Sequence, residues 1–177
     1  MRIYTKNGDT GNTKLLNNID VSKGDKRIHL LGSIDEFNAY LGVVLAYTYN
    51  PPFLSLIKDA QSDLFLIGSY MAGLKFIDKD AELDKKLSNR VSQMEHAIDI
   101  LTEKLPPLTN FILPGGSVSG SQLHLARTIC RKLEREFIEN QQIEFVPYFN
   151  RFSDFLFTMA RYVNFVEQVP EKIWKNS

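Results

Sequence analysis

A single cysteine, Cys130, stands among 177 residues, so an internal disulfide framework is excluded. It falls between Leu123, Ala126, Leu133 and Phe137 at helical spacing, which makes it a small core residue rather than a reactive thiol. An excess of charge is missing as well. The 21 basic and 21 acidic side chains cancel, so the chain as a whole gives no signal for nucleic acid or an anionic membrane surface. The best apolar run, LFLIGSYMAGL, is too short to cross a bilayer. The opening MRIYTKNGDTGNTK lacks the apolar stretch of a secretory signal. A cytoplasmic protein in a reducing compartment is expected. Histidine is scarce: His29, His96 and His124 are all there are. None forms the Glu-x-x-His pair of a ferritin-type metal bundle, and no Ser–His–acid or Cys–His set suggests itself. His29 and His96 read as surface or boundary residues, and His124 as a ligand contact or a partner for Glu134.

What is present is helical periodicity. Hydrophobic content of 44% fits a soluble globular chain, and the length suits one domain, residues 1–177, with a sizeable core. From Arg27 onward Leu30, Ile34, Phe37, Leu41 and Val44 recur at intervals of three and four. NPP at 50–52 ends this helix and opens a second, about 52–73, with proline in the first turn. A third, about 81–104, carries Leu83, Leu87, Val91, Met94, Ile98 and Leu101, and LPPL stops it. A fourth covers about 118–140. The fifth, about 148–168, carries Phe152, Phe155, Leu156, Met159, Val163 and Val166. The fold class is therefore all-α, an antiparallel five-helix bundle over 27–170 behind an irregular N-terminal loop, 1–26.

The fourth helix poses a question of charge. Arg127, Arg131 and Arg135 lie four residues apart, close enough to repel. On a wheel of roughly 100° per residue, Arg127 and Glu134 flank the apolar stripe, Arg131 lies beside His124, and Arg135 points away with Lys132 on a solvated face. A guanidinium at the edge of an apolar stripe is usually held by a carboxylate or a phosphate. Asp35 and Asn38 border the stripe of the first helix, where an acid needs a partner; a structural salt bridge and a functional role are both open. Asn150, Arg151 and Asp154 either face a ligand or cap the fifth helix.

YTKNGDTGNT, residues 4–13, combines Gly8 and Gly11 with Thr5, Thr10, Thr13 and Lys6. Amides, hydroxyls and a lysine suit a phosphate cradle, without being a Walker A loop; a flexible tail has the same composition. The PGGS turn before the fourth helix is a second candidate anion site.

Four segments in order, IYTKNGDTGNT, RIHLLGSIDEFNAYLG, FILPGGS…LHLARTICRKLER and FNRFSDFLFTMARYVN, resemble the ATP:corrinoid adenosyltransferases of the PduO type. The match spans nearly the whole chain and is least distinctive over 46–108. HLLG before Ser33 and RKLER at 131–135 depart from commoner family forms without removing a presumed ligand. The resemblance implies a homotrimeric five-helix bundle with sites between subunits. The implied reaction moves the 5′-deoxyadenosyl group of ATP, with Mg²⁺, to the cobalt of cob(I)alamin or a related corrinoid, releasing triphosphate. It implies that Thr5, Lys6, Gly8, Asp9, Gly11 and Thr13 fold over ATP. Arg127, Arg131, Glu134 and Asn150 would line the nucleotide, with Glu134 nearest the metal. Asp35 would pair with Arg127 across the subunit boundary, and Phe111 would sit beneath the corrin. Arg131, Arg127, Asp35 and Phe111 are thus the expected catalytic set. A flavoprotein reductase and an adenosylcobalamin-dependent enzyme are the implied partners; neither nucleic acid nor membrane is. The competing reading is a non-catalytic carrier or regulator that binds nucleotide or corrinoid, although a carrier has no need of a triphosphate grip.

Overall fold

The computed structural model describes residues 4, 6, 8–73 and 80–175. Thr5, one of the expected loop residues, lies outside the described residues. Five helices carry the fold: α1 (Lys26–Tyr47), α2 (Leu54–Met71), α3 (Asp80–Glu103), α4 (Val118–Glu139) and α5 (Val146–Val166), the last entered through a 3₁₀ turn at Ile143–Phe145. Asp25 starts α1. Its carboxylate accepts from the Arg27 backbone N–H at 2.9 Å and from the Arg27 guanidinium at 3.0 and 2.8 Å. Those bonds hold the carboxyl down at about 2.

Two boundaries differ from the periodicity. Phe53 is left-handed, φ 65°, and caps α2, so the helix opens at Leu54 and Pro52 lies outside it. The α5 helix starts at Val146, two residues early, because Pro147 falls in the first turn, where its missing N–H costs nothing. Asn150, Arg151 and Asp154 are therefore inside α5 and cap nothing. Val166 was expected on the buried stripe and is exposed, since the helix ends there.

The α5 helix packs against α3 and α4, and α1 against α4 and α2. The core stripe of α4 (Leu123, Ala126, Cys130, Leu133, Phe137) is buried throughout. Phe137 stacks on Phe149 of α5 at 4.7 Å between ring centres. The Cys130 thiol sits 3.3 Å from the Phe149 carbonyl, and burial pushes its pKa up, so it stays a core thiol.

The segment before α1 is more ordered than its composition suggests. Strands β1 (Asn12–Lys14) and β2 (Asp20–Ser22) form an antiparallel hairpin with Thr13 opposite Val21. Leu15 and Val21 are buried beneath it, and the Leu16 N–H donates to the Ala72 carbonyl at 3.0 Å. Two apolar anchors and a tie to the end of α2 replace the expected irregular stretch.

One ionic cluster holds three helices together. The Asp63 carboxylate is fully buried, 3.0 Å from Lys86 Nζ and 2.9 Å from Arg90 Nε, and it accepts from the Tyr148 hydroxyl at 3.3 Å. Arg90 also reaches Asp59 at 2.7 Å. Removing one side of such a pair strands the other charge. Asp63→Ala is expected to lower stability by about 3–5 kcal/mol in urea unfolding; a change below about 1 kcal/mol would show the surrounding charges to be solvated.

Candidate functional site

The flank of α4 that meets α5 gathers four of the expected ligands, Arg127, Arg131, Glu134 and Asn150. Asn150 Nδ2 donates to Glu134 Oε1 at 3.0 Å, which fixes the half-buried carboxylate and leaves its other oxygen available. Arg131, one turn earlier, is exposed and has no ion pair among the described residues. Arg127 is half-buried over the Phe157 ring, 6.0 Å from its centre, and its buried Nε meets no acceptor. Burial and the charge of Arg131 both lower the Arg127 pKa. Two neighbouring cations, neither ion-paired among the described residues, make this flank a site for negative charge.

His124 is not a partner for Glu134. It is 3% exposed, tilted against Phe157 at 5.9 Å, and both ring nitrogens lack a hydrogen bond. Burial and the Arg127 charge hold its pKa down at about 4. His29 and His96 are exposed, as expected.

The turn that opens α4 is a rigid mount. Asn164 of α5 accepts from Ser117 N–H at 2.9 Å and from the Ser117 hydroxyl at 3.1 Å, and donates to the Gly115 carbonyl at 2.9 Å. A Cβ on Gly116, whose φ is 118°, would come within 2.3 Å of Asn164 Oδ1. The Gly120 N–H is taken by the Ser117 hydroxyl at 3.0 Å. With these donors occupied, the turn is poorly suited to the anion site that its sequence suggested.

Phe111 projects from this mount. It is 80% exposed, which rules out an ordinary core phenylalanine. Its carbonyl accepts from Trp174 N–H at 2.8 Å, and Leu113 N–H donates to the Lys172 carbonyl at 2.8 Å, around an antiparallel bridge between Ile112 and Ile173. Alternation along this short ladder puts Phe111 and Trp174 on one face, beside a cavity of ≈ 960 Å³ also lined by Leu108 and Asn110. Glu171 anchors the tail through a two-point pair with Arg161, 2.8 and 3.2 Å, and Arg161 also donates to the Pro106 carbonyl at 2.9 Å. The sequence reading closed the bundle at 170 and missed this support.

The remaining expected residues lie on α1 and in the N-terminal segment. Asp35 is exposed on the α2 side of α1, at a small cavity of ≈ 200 Å³ that Leu16, Asn38 and Phe65 also line. Among the described residues it has no ion pair, so it makes no salt bridge to Arg127 of the same copy. Asn38 is buried and bonded to the Gln61 carbonyl at 3.3 Å. In the N-terminal loop Asp9 N–H donates to the Lys6 carbonyl at 3.2 Å, Gly11 N–H to Gly8 at 3.3 Å, and Lys23 N–H to Gly11 at 2.9 Å. Lys6 and Gly11 take positive φ, 62° and 84°. Thr13 lies in β1. Among the described residues, no hydrogen bond or ion pair joins this group to Arg127, Arg131, Glu134 or Asn150.

A family model described as cobalamin adenosyltransferase matches residues 3–163. This chain belongs to the cobalamin adenosyltransferase family. The corrinoid adenosyltransferase of Bacillus subtilis is 38% identical over 173 residues, covering 93% of this chain and 87% of that one. Corrinoid adenosyltransferase MMAB of Bos taurus is 34% identical over 185 residues, 99% of this chain and 77% of that one. Among solved structures, a PduO-type ATP:corrinoid adenosyltransferase variant from Lactobacillus reuteri, complexed with cobalamin and ATP, superposes with a TM-score of 0.84. It is 30% identical, with 99% of this chain and 100% of that chain covered. With that solved structure the five-helix bundle is the shared frame.

Proposed function

We propose that this protein transfers the 5′-deoxyadenosyl group of ATP to cobalt(I) of cob(I)alamin or a related corrinoid. The observation that carries this reading is the unneutralised Arg127–Arg131 pair beside the Asn150–Glu134 hydrogen bond. A related protein of known structure is complexed with both cobalamin and ATP. Cobalt(I) supplies the electron pair to C5′, the C5′–O bond breaks, and the whole triphosphate leaves with that bond's electrons. The leaving group gathers negative charge, so placed cations at its far end lower the barrier. Arg131 and Lys6 fill that role, while Arg127 and the loop residues Thr5, Gly8, Asp9, Gly11 and Thr13 orient the nucleotide. No proton moves in this step, so it needs no general base.

Mg²⁺ suits the donor set. No group of three or more His, Cys, Asp or Glu among the described residues could hold a metal alone. Glu134 keeps one oxygen free, and Mg²⁺ commonly takes one or two carboxylates together with substrate phosphates. Glu134 would hold the ion where the triphosphate arrives and help to neutralise it.

The two residue groups meet if the protein is a homotrimer with sites between subunits. An orphaned Arg127 nitrogen and an unpaired Asp35 are each explained by a partner on the next copy. Asp35→Asn is then expected to weaken both assembly and ATP affinity. Light scattering and ATP titration of that variant check this: a normal trimer with normal affinity returns Asp35 to the solvated surface. No described helix is long and apolar enough to cross a membrane. The proposed setting is the cytoplasm, with a flavoprotein reductase supplying the electron and an adenosylcobalamin-dependent enzyme receiving the product.

The decisive measurement is the visible spectrum of chemically reduced cob(I)alamin with the protein after ATP is added. Formation of a light-sensitive cobalt–carbon species supports the transferase. Corrinoid binding without that species supports the carrier.

A further inference from the structure

Behind the Phe111 ladder lies a second cavity, of ≈ 510 Å³, lined by the turn 112–116, His124, Asn164 and the tail residues Val169 to Lys172. Its rim is exposed at Leu113, Pro114 and Lys172, while His124 lines it at 3% exposure. Both His124 nitrogens are buried without a hydrogen-bond partner. A buried polar group without a partner is costly, and a native chain keeps one where something else completes it. Asn164 is engaged with Ser117 and Gly115, Glu171 with Arg161, and Lys172 is exposed at the rim. His124 is the buried side chain of this lining left with bonding capacity.

The surrounding charges narrow the occupant. Arg127 and Lys172 disfavour a cation, and the Glu171 carboxylate disfavours an anion. The imidazole itself is neutral at physiological pH, since burial and Arg127 hold its pKa at about 4. A neutral imidazole presents one N–H donor and one bare nitrogen acceptor. The complement is a small neutral group with both a carbonyl and an N–H.

We infer that this cavity receives a peripheral primary carboxamide of the corrinoid, with His124 as its hydrogen-bonding partner. The inference rests on the transferase reading, which puts the macrocycle at Phe111. Corrin rings carry such carboxamides on short arms around their edge. The cavity adjoins Phe111 through Ile112 and Leu113. His124 then contributes to corrinoid recognition and takes no part in bond making.

The test is titration of MgATP-saturated protein with cob(II)alamin, followed by absorbance, for wild type, His124→Leu and His124→Gln. His124→Leu leaves the carboxamide unpaired in the cavity, which should weaken corrinoid binding about 10- to 100-fold. ATP affinity should be unchanged. His124→Gln retains a donor and an acceptor and should stay within about 5-fold of wild type. Corrinoid binding by His124→Leu equal to that of wild type would overturn the assignment and leave a water site. So would equal losses for both variants, or a parallel loss of ATP affinity, each of which marks a packing role. A wild-type protein that forms the cobalt–carbon bond while His124→Leu binds normally defeats this assignment alone. A wild type that neither binds nor adenosylates a corrinoid defeats the transferase reading and this inference with it.

Discussion

Arg131→Ala is expected to abolish most adenosyl transfer while leaving a folded assembly. Arg131 is exposed and makes no ion pair among the described residues, so its loss breaks no ion pair there. Its proposed partner is the departing triphosphate, whose charge grows as the C5′–O bond breaks. Removing one preorganised partner of developing charge typically costs about 10²–10³ in rate. The effect should fall on turnover more than on ATP affinity, because ground-state ATP keeps Mg²⁺, Lys6 and the loop. Single-turnover rates with chemically reduced corrinoid measure this without interference from the reduction step. Activity within about threefold of wild type would make Arg131 a surface charge, since a transition-state role predicts far more.

Asp35 and Arg131 differ in where the sequence already told their story. The α4 stripe was legible because five apolar residues share one face, and that placed Arg127 and Glu134 on its flank without any structure. The five helices followed from the same periodicity. Boundaries at Phe53 and Val146 did not, because they depend on a left-handed residue and a tolerated proline rather than on a repeating pattern. The burial of His124 was hidden for a different reason. Its position on the wheel is beside Arg131, and Phe157 arrives from α5 to pack against it. Asp63 shows the same limit: a buried acid is tolerated through cations on α3, far away in sequence. The tail was least legible. A single bridge between Ile112 and Ile173 leaves no alternation long enough to detect. Arg161 and Glu171 look like ordinary surface charges until the fold brings Pro106 beside them.

That tail bears directly on Phe111. An exposed ring on a loop would ordinarily sweep a wide volume, and a mobile ring cannot keep a ligand off a metal. Here the backbone from Phe111 onward is fixed: Trp174 bonds its carbonyl, Lys172 bonds Leu113, and Asn164 locks the following turn. The proposed role is to occupy the lower face of the corrin, where an axial ligand otherwise binds cobalt. Axial ligation and the polarity around a metal set how readily it is reduced. An apolar ring in place of a ligand favours four-coordinate cobalt(II) and brings cobalt(I) within reach of weaker donors. Phe111→His puts a nitrogen ligand where the blocker stood, on the same fixed backbone. That variant is expected to bind ATP and corrinoid, lose the four-coordinate cobalt(II) spectrum, and turn over poorly from cobalt(II). Turnover should recover substantially when cobalt(I) is supplied chemically, because the alkyl transfer itself does not need the ring. The two starting oxidation states therefore separate a reduction role from a general one. An unchanged four-coordinate signal in Phe111→His would remove the ring from the cobalt, and equal losses from both oxidation states would assign it to substrate positioning instead.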